Sequence, residues 1–354
     1  MDTRILEFHL LVAEKNSIRT ILLLRFDMEL GCESEALQLC VAIHYNTKAV
    51  SLVKDECFNV EGVSCITPEG RKDYLARGGV ILTTGGYGAN EAMVDKYIGP
   101  WASRLIVRGS PWITGENILM AEEVQALLVN MDQFYAGPIT PTGHCNPSPL
   151  MHAGYGIQVN TKGKRFVPET WLQVPKAKAI AERTEDNRSF MLIGADADKN
   201  AQILTNTIKR FARLGFEVIK ADTIEEAAKK AGVPEKNLVE TVREFNAAVK
   251  AGKAKELDPP YDYDEPHALE TGPFYMIPAA GGMASTFGGP KINKDAQVVN
   301  FERRPIPGLY AAGAAAGGVW VYDDIGGNQL GGGMVFGRVA ARHAAGRAAS
   351  RKNA

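Results

Sequence analysis

The stretch from Ile306 to Ala345, IPGLYAAGAAAGGVWVYDDIGGNQLGGGMVFGRVAARHAA, constrains the fold more than any other part of the chain. The apolar run Gly308 to Ala312 predicts a buried strand, and the small residues after it permit close backbone approach. A second glycine cluster (Gly326, Gly327, Gly331, Gly332, Gly333) then opens an apolar helix expected to end near Ala345. Glycines at a helix entrance leave peptide N–H groups bare at the positive end of the helix dipole. A large, flat, electron-rich ligand can lie against them. The layout suits a ring whose edge becomes anionic on reduction, as that of a flavin does.

Bulk composition narrows the alternatives. At 354 residues and 45% hydrophobic, the chain has material for two cored domains. Its net charge of −1, with acids and bases interspersed, supplies no basic field for nucleic acid or anionic membrane. Five cysteines (Cys32, Cys40, Cys57, Cys65, Cys145) are odd in number and lack paired metal spacing, so free thiols in a reducing compartment are expected. The apolar patches LEFHLLVA and TILLLRF are interrupted by Glu14, Lys15, Arg19 and Arg25. Neither a membrane span nor a signal peptide fits, and a soluble cytoplasmic protein is the expectation.

From Cys40 to Thr84 the pattern is β-rich and predicts a small meander feeding the buried strand Gly79 to Leu82. That strand leaves through Thr83-Thr84-Gly85-Gly86, the kind of sharp exit at a carboxyl sheet edge where ligands of open α/β sheets gather. Helices are predicted near Asn90 to Tyr97 and over Glu116 to Val129. In GYGIQVNTKGKRFVPE, Asn160 to Gly163 has hairpin chemistry. Asp222 to Ala251 reads as two amphipathic helices broken at Gly232-Val233-Pro234. After Pro278 the chain is again glycine-rich and strand-like. Two separate pieces, 1–134 and 286–354, thus flank an inserted α+β domain at 135–285.

The order of these landmarks resembles the FAD-dependent fumarate reductase, succinate dehydrogenase and 3-ketosteroid dehydrogenase superfamily. ARGGVILTTGGYGAN (76–90), TGENILMAEE (114–123), GIQVNTKGKRFVPE (156–169), the paired helices, STFGGPKIN (285–293) and GLYAAG…GGNQL (308–330) run in family order over roughly residues 37 to 345. The resemblance implies an α/β, Rossmann-like FAD-binding domain carrying an inserted α+β cap that closes over the flavin. It also implies non-covalent FAD. By position, Ala49 and Val50 would flank the adenine, and Thr84, Gly85 and Gly86 would turn beneath the dinucleotide. Glu116 would replace the aspartate of the family's TGDG turn, and Gly313 and Ala314 would stand where the family has glycine and a ribityl-contacting glutamate. Gly327 would supply an N–H, and Gln329 and Leu330 would meet the pyrimidine edge. The family's opening GxGxxG unit has no counterpart, because Gly31 is the one glycine before Gly62. Residues 1–35 match no part of the family, and a truncated first βαβ unit is the expectation.

Chemistry is read from the same alignment. The family's carboxylate-clamping histidines and arginines fall on Gly137, Gln173, Ser285 and Asp324, none of which anchors a dicarboxylate. Steroid-dehydrogenating relatives instead use tyrosines to move a proton and polarise a carbonyl. Tyr322, Asp323 (with its neighbour Asp324) and Tyr135 are the candidate catalytic groups. Trp320, Phe134 and Phe287 favour a small apolar carbonyl substrate. The implied reaction acts on a carbon–carbon bond next to a carbonyl, in the manner of a ketosteroid dehydrogenase or an enoate reductase, with an electron acceptor the sequence does not name. A homologue that keeps the fold without FAD or catalysis is the alternative. His144, Cys145 and His152 lack a fourth ligand at metal spacing, so no metal is expected. His343 is read as a structural residue near a helix C-terminus.

Overall fold

The computed structural model describes residues 38–39, 41–141, 156–194, 218–321 and 328–351, with residues 11–12 and parts of 205–215. The chain divides into two compact units. One comprises Met1–Ile98, Gly109–Tyr135 and Ser285–Ala354, and the other Gly99–Arg108 and Ala136–Ala284.

The first unit is organised by a parallel strand pair. Val80–Leu82 lies beside Pro305–Ala311, with Val80 opposite Leu309 and Leu82 opposite Ala311. Gln297–Val299 extends this sheet antiparallel on one side, and Leu11–Val12 pairs antiparallel on the other. All three residues of Val80–Leu82 are buried, as expected of a continuous apolar run in a parallel pair. Two glycines allow the approach. Gly79 has φ +111° and Gly308 has φ +83°. A Cβ on Gly79 would lie 2.2 Å from the Gly308 carbonyl oxygen, and one on Gly308 would lie 2.2 Å from that of Val60. Only hydrogen fits at either position.

The expected meander is formed by Lys48–Lys54, Val60–Thr67 and Gly70–Leu75. Its inward residues Ala49, Leu52, Val60, Val63 and Cys65 pack with Val80, Leu82 and Leu309 and with Met120 and Ala121 of the helix Glu116–Glu122. Glu123 ties helix to meander, its carboxylate accepting from Leu52 N at 3.0 Å and its carbonyl from Lys54 Nζ at 2.8 Å. Cys57 and Cys65 are free thiols, and burial pushes the Cys65 thiol up to about 11.

Two helices differ from expectation. The one predicted over Glu116 to Val129 stops at Glu122, and Leu128–Val129 instead pairs as a strand with Gly289–Pro290. Leu127 N also donates to Val299 O at 2.9 Å, so pairing with distant backbone overrides local helix propensity. The last helix runs Asn328–Ser350, past Ala345, and Gly331–Gly333 lie inside its first turns rather than before it. Ala340 and Ala344 of this helix pack on Ile81 and Tyr310, and the Tyr310 hydroxyl meets His343 Nδ1 at 3.0 Å.

The second unit is built on a sheet ordered Ile219–Ala221, Phe274–Thr286, Ser189–Gly194, Gly156–Asn160. The Asn160–Gly163 turn forms, with Gly163 at φ +76°. Ile224–Ala231 and Glu235–Lys250 are the two amphipathic helices. Thr223 caps the first by accepting from Glu226 N at 3.1 Å, and left-handed Gly232 ends it. Their apolar faces, with Leu238, Val242 and Phe245, close over Ile157, Leu192, Tyr261 and Met276. Among the described residues, no helix is long and apolar enough to cross a membrane, and no three His, Cys, Asp or Glu side chains cluster to hold a metal.

The glycine crossing generates a contrast testable by urea denaturation. Gly79→Ala meets backbone atoms as well as an unfavourable φ and should lose roughly 2–4 kcal/mol. Gly252→Ala, at φ +68° with nothing near its added methyl, should lose only about 1 kcal/mol.

Candidate functional site

The two parallel strands leave their sheet together, Ala312 N donating to Leu82 O at 3.0 Å. Thr84-Gly85-Gly86 continues one strand and a 3-10 turn, Gly313–Ala315, continues the other. Gly85 has φ +78° and Gly313 φ +66°. A Cβ on Gly86 would sit 2.1 Å from Thr286 Oγ1, which instead accepts from Tyr87 N at 3.0 Å. Around Gly313, the nearest atom to a would-be Cβ is the Cα of Gly333 at 3.8 Å, and Gly331 faces open space. At this edge Gly313 and Gly331 have room around them, while Gly85 and Gly86 pack against Ile113 and Thr286.

Two polar atoms there are left incomplete. Asn117, fully buried on the helix Glu116–Glu122, donates from Nδ2 to Ala315 O at 3.0 Å, while its Oδ1 has no hydrogen-bond partner among the described residues. Thr84 Oγ1 is likewise buried and without a partner among them. Each such atom costs about 1–3 kcal/mol if nothing completes it. Orphaned groups at the carboxyl edge of a parallel pair mark a place where a polar ligand docks.

The sequence-predicted residues are distributed as follows. Thr84, Gly85, Gly86, Gly313 and half-buried Ala314 come together at this edge. Ala49 is buried and Val50 half-buried on the first meander strand. Lys48, one residue earlier, reaches the nearly buried Glu116 carboxylate at 3.1 Å, and Thr114 donates to the same oxygen at 2.5 Å. One Glu116 oxygen is thus committed to protein partners. Gln329 Nε2 donates to Ser285 Oγ at 2.8 Å, and the Leu330 side chain is exposed. Gly332 serves close packing, since the indole of Trp320 lies 2.1 Å from where its Cβ would be. Phe134 and Phe287 are buried core residues, and Tyr135 is half-buried. Tyr322, Asp323, Asp324, Gly327, His144, Cys145 and His152 lie outside the described residues. The one sequence signal at Asn117 is TGEN, with asparagine where the family turn has glycine.

The second unit holds its own polar cluster. A Cβ on Gly137 would lie 2.8 Å from Gln173 Oε1 and 3.1 Å from Arg108 Nη1, so two positions that the alignment gave to a carboxylate clamp sit beside a guanidinium. Arg108 carried no sequence signal, because it comes from the separate segment 99–108. Nearby along the helix Gln173–Arg183 is Lys176, 2% exposed. Burial pushes its amine down to about 8, against an opposing pull from Glu169. Glu169 itself is paired with Arg165 at 2.6 and 2.9 Å and accepts from Gln158 N at 3.0 Å.

Comparison with known proteins places this geometry. The model of the FAD binding domain family matches residues 28–330. The chain belongs to this family. It is 32% identical over 308 residues to the NADH:acrylate oxidoreductase of Vibrio harveyi, covering 84% of this chain and 30% of that protein. The open conformation of a flavocytochrome c3 fumarate reductase superposes with TM-score 0.74 at 28% identity, covering 89% of this chain and 54% of that one. The 3-ketosteroid Δ1-dehydrogenase of Sterolibacterium denitrificans superposes with TM-score 0.68 at 26% identity, covering 90% and 62%. The chain therefore spans about a third to just under two thirds of the length of these relatives. FAD is the family's cofactor, and the residues present fit it. Thr84 Oγ1 and Asn117 Oδ1 offer a hydroxyl and an acceptor to a ligand rich in hydroxyls, and the glycines admit its approach.

Lys176 generates a pH-dependent prediction. Its ordinary value of 10.5 falls to about 8 on folding, so the unfolded chain binds the extra proton between those values. Stability should rise with pH across that window, and the cost of burying the charge is complete below pH 8. Lys176→Met should therefore stabilise the protein at pH 7 by roughly 3 kcal/mol at most, with the gain shrinking toward pH 10. Urea titrations at the two pH values check this.

Proposed function

We propose that this protein is an FAD-dependent oxidoreductase acting on a carbon–carbon bond next to a carbonyl, and that its preferred substrates are carboxylate-bearing enoates. The observation that carries the cofactor part is the pair of orphaned polar atoms, Thr84 Oγ1 and Asn117 Oδ1, at a glycine-lined carboxyl edge. In this reading Thr84, Gly85, Gly86, Gly313 and Ala314 hold FAD non-covalently, with Ala49, Val50, Glu116, Gly327, Gln329 and Leu330 as further contacts. Bound FAD supplies hydride chemistry. The chain's own part is to bind and orient substrate and to move a proton, for which Tyr322, Asp323 and Tyr135 are the candidates. Residues 135–285 are taken as the substrate domain.

The substrate class rests on Arg108. A guanidinium beside Gln173 offers a fork of donors matched to a carboxylate or polarised carbonyl. The names of relatives point the same way, since acrylate and fumarate are both short enoates. The small apolar carbonyl substrate is the second form of this reading, supported by likeness to 3-oxosteroid dehydrogenases. A homologue that keeps the fold without FAD is favoured by one observation, the Trp320 indole filling the space at Gly332.

The test begins with the purified protein incubated with FAD and passed through gel filtration. Flavin should co-elute at one per chain, and a colourless folded protein would establish the fold-only reading. The bound flavin, reduced without oxygen, should then be reoxidised by acrylate, fumarate or urocanate faster than by a dienone steroid. Arg108→Ala should raise KM for the enoate about 10- to 100-fold with little change in kcat. Turnover confined to steroids, with KM indifferent to Arg108, would overturn the carboxylate assignment.

A further inference from the structure

Several glycines of the second unit are fixed by neighbouring backbone. A Cβ on Gly156 would lie 2.6 Å from Leu192 O, one on Gly272 2.5 Å from Asp222 O, and one on Gly281 2.5 Å from Ala177 O. Gly137 differs. Its φ is not positive, so its own backbone conformation does not call for glycine. The two atoms nearest its would-be Cβ are the far ends of polar side chains, Gln173 Oε1 at 2.8 Å and Arg108 Nη1 at 3.1 Å. Glycine suits this position because those two groups occupy the place of a side chain.

Separate elements deliver this contact. Ile106–Val107 pairs parallel with Gly282 and Met283, and Arg108 N donates to Met283 O at 2.8 Å, which fixes where the arginine side chain starts. Gly137 lies in Phe134–Ile139, which pairs with the same long strand, Phe274–Thr286. Gln173 opens the helix Gln173–Arg183. Gly137 is buried, whereas Arg108 and Gln173 are half-buried. Arg108 Nη1, the atom that faces Gly137, is enclosed, so it is the inner arm of the guanidinium. Because that group is planar and rigid, a wall against one arm sets the direction of the other. The alignment gave position 137 to the family's carboxylate clamp. Here no clamping side chain stands there, and a guanidinium from the segment 99–108 takes the space.

We infer that Gly137 is a positioning residue for the substrate carboxylate: by presenting no side chain, it seats the inner arm of Arg108 against its strand and turns the outer arm toward the substrate, beside the Gln173 carboxamide. The inference rests on the enoate reading of Arg108 above and extends it to a residue which that reading does not use. A methyl group at position 137 closes the seat. The atoms in its way end flexible side chains, so they give while the backbone stays in place. Hydrogen bonds from a guanidinium to a carboxylate weaken steeply with misalignment, so the loss falls on substrate binding.

The experiment compares the FAD-loaded wild-type chain with Gly137→Ala, Gly137→Val, Gln173→Ala and the double variant Gly137→Ala/Gln173→Ala. Arg108→Ala is the reference for a lost carboxylate contact, and Gly281→Ala the control for a glycine held by backbone. Urea midpoints are measured first, then KM and kcat for acrylate with a reduced viologen dye as electron donor. Gly137→Ala should keep a midpoint close to wild type and raise KM about 3- to 10-fold, with kcat within about 2-fold. Gly137→Val should approach the KM of Arg108→Ala. Gln173→Ala opens room for the arginine to resettle, so in that background Gly137→Ala should cost less than about 2-fold. Gly281→Ala should lower the midpoint, because its methyl meets a carbonyl that cannot turn aside. Wild-type protein that does not turn over acrylate, or an unchanged KM in Arg108→Ala, defeats the enoate reading and this inference with it. A raised KM in Arg108→Ala with wild-type values in both Gly137 variants overturns this inference alone. A midpoint in Gly137→Ala as low as that of Gly281→Ala, a fall in kcat at unchanged KM, or the same penalty with and without Gln173 assigns the glycine to packing and overturns it too.

Discussion

The parallel pairing of Val80–Leu82 with Pro305–Ala311 is the constraint on which the first unit depends. It joins segments more than two hundred residues apart and brings their carboxyl ends out side by side. Loop-closure entropy makes such a pairing costly, and burial of both strands in a continuous apolar core offsets it. The crossing of Gly79 over Gly308, and of Gly308 over Val60, is what lets the backbones approach. The helix Asn328–Ser350 docks through Ala340 and Ala344 against Ile81 and Tyr310, so its glycine-bearing start inherits its position from the same pair.

The candidate cofactor edge and the polar cluster of the second unit treat buried polarity differently. Arg165 and Glu169 satisfy one another bidentately and take further hydrogen bonds from Gln158 N and to Pro259 O. Completed networks of this type specify a fold. At the carboxyl edge, Thr84 and Asn117 are fixed in place with capacity left over.

Much of the architecture was legible because its signals are local. Alternation in residues 48–75, the break at Gly232 and the hairpin turn at Asn160–Gly163 each reflect interactions within a few residues. The glycine-rich strand exits were likewise readable as backbone approach. The helix over Glu116 to Val129 was overextended because Leu127–Val129 is claimed by partners near residues 289–299, which local propensity does not register. Gly331–Gly333 proved to be helical rather than a preceding loop, since packing against the 3-10 turn at Gly313 holds them.

The amino-acid sequence by itself determined the family, the FAD-type domain and the order of its motifs, because those features lie in contiguous strings of turn, strand and glycine chemistry. Only the tertiary structure decided which side chains meet. Asn117 became an oriented acceptor when Ala315 took its amide, and Arg108 became a neighbour of Gln173 when the short segment 99–108 joined the second unit. Both outcomes turn on whether a polar group finds a partner in the folded interior. That property belongs to pairs of residues brought together by folding, and no single stretch of sequence contains it.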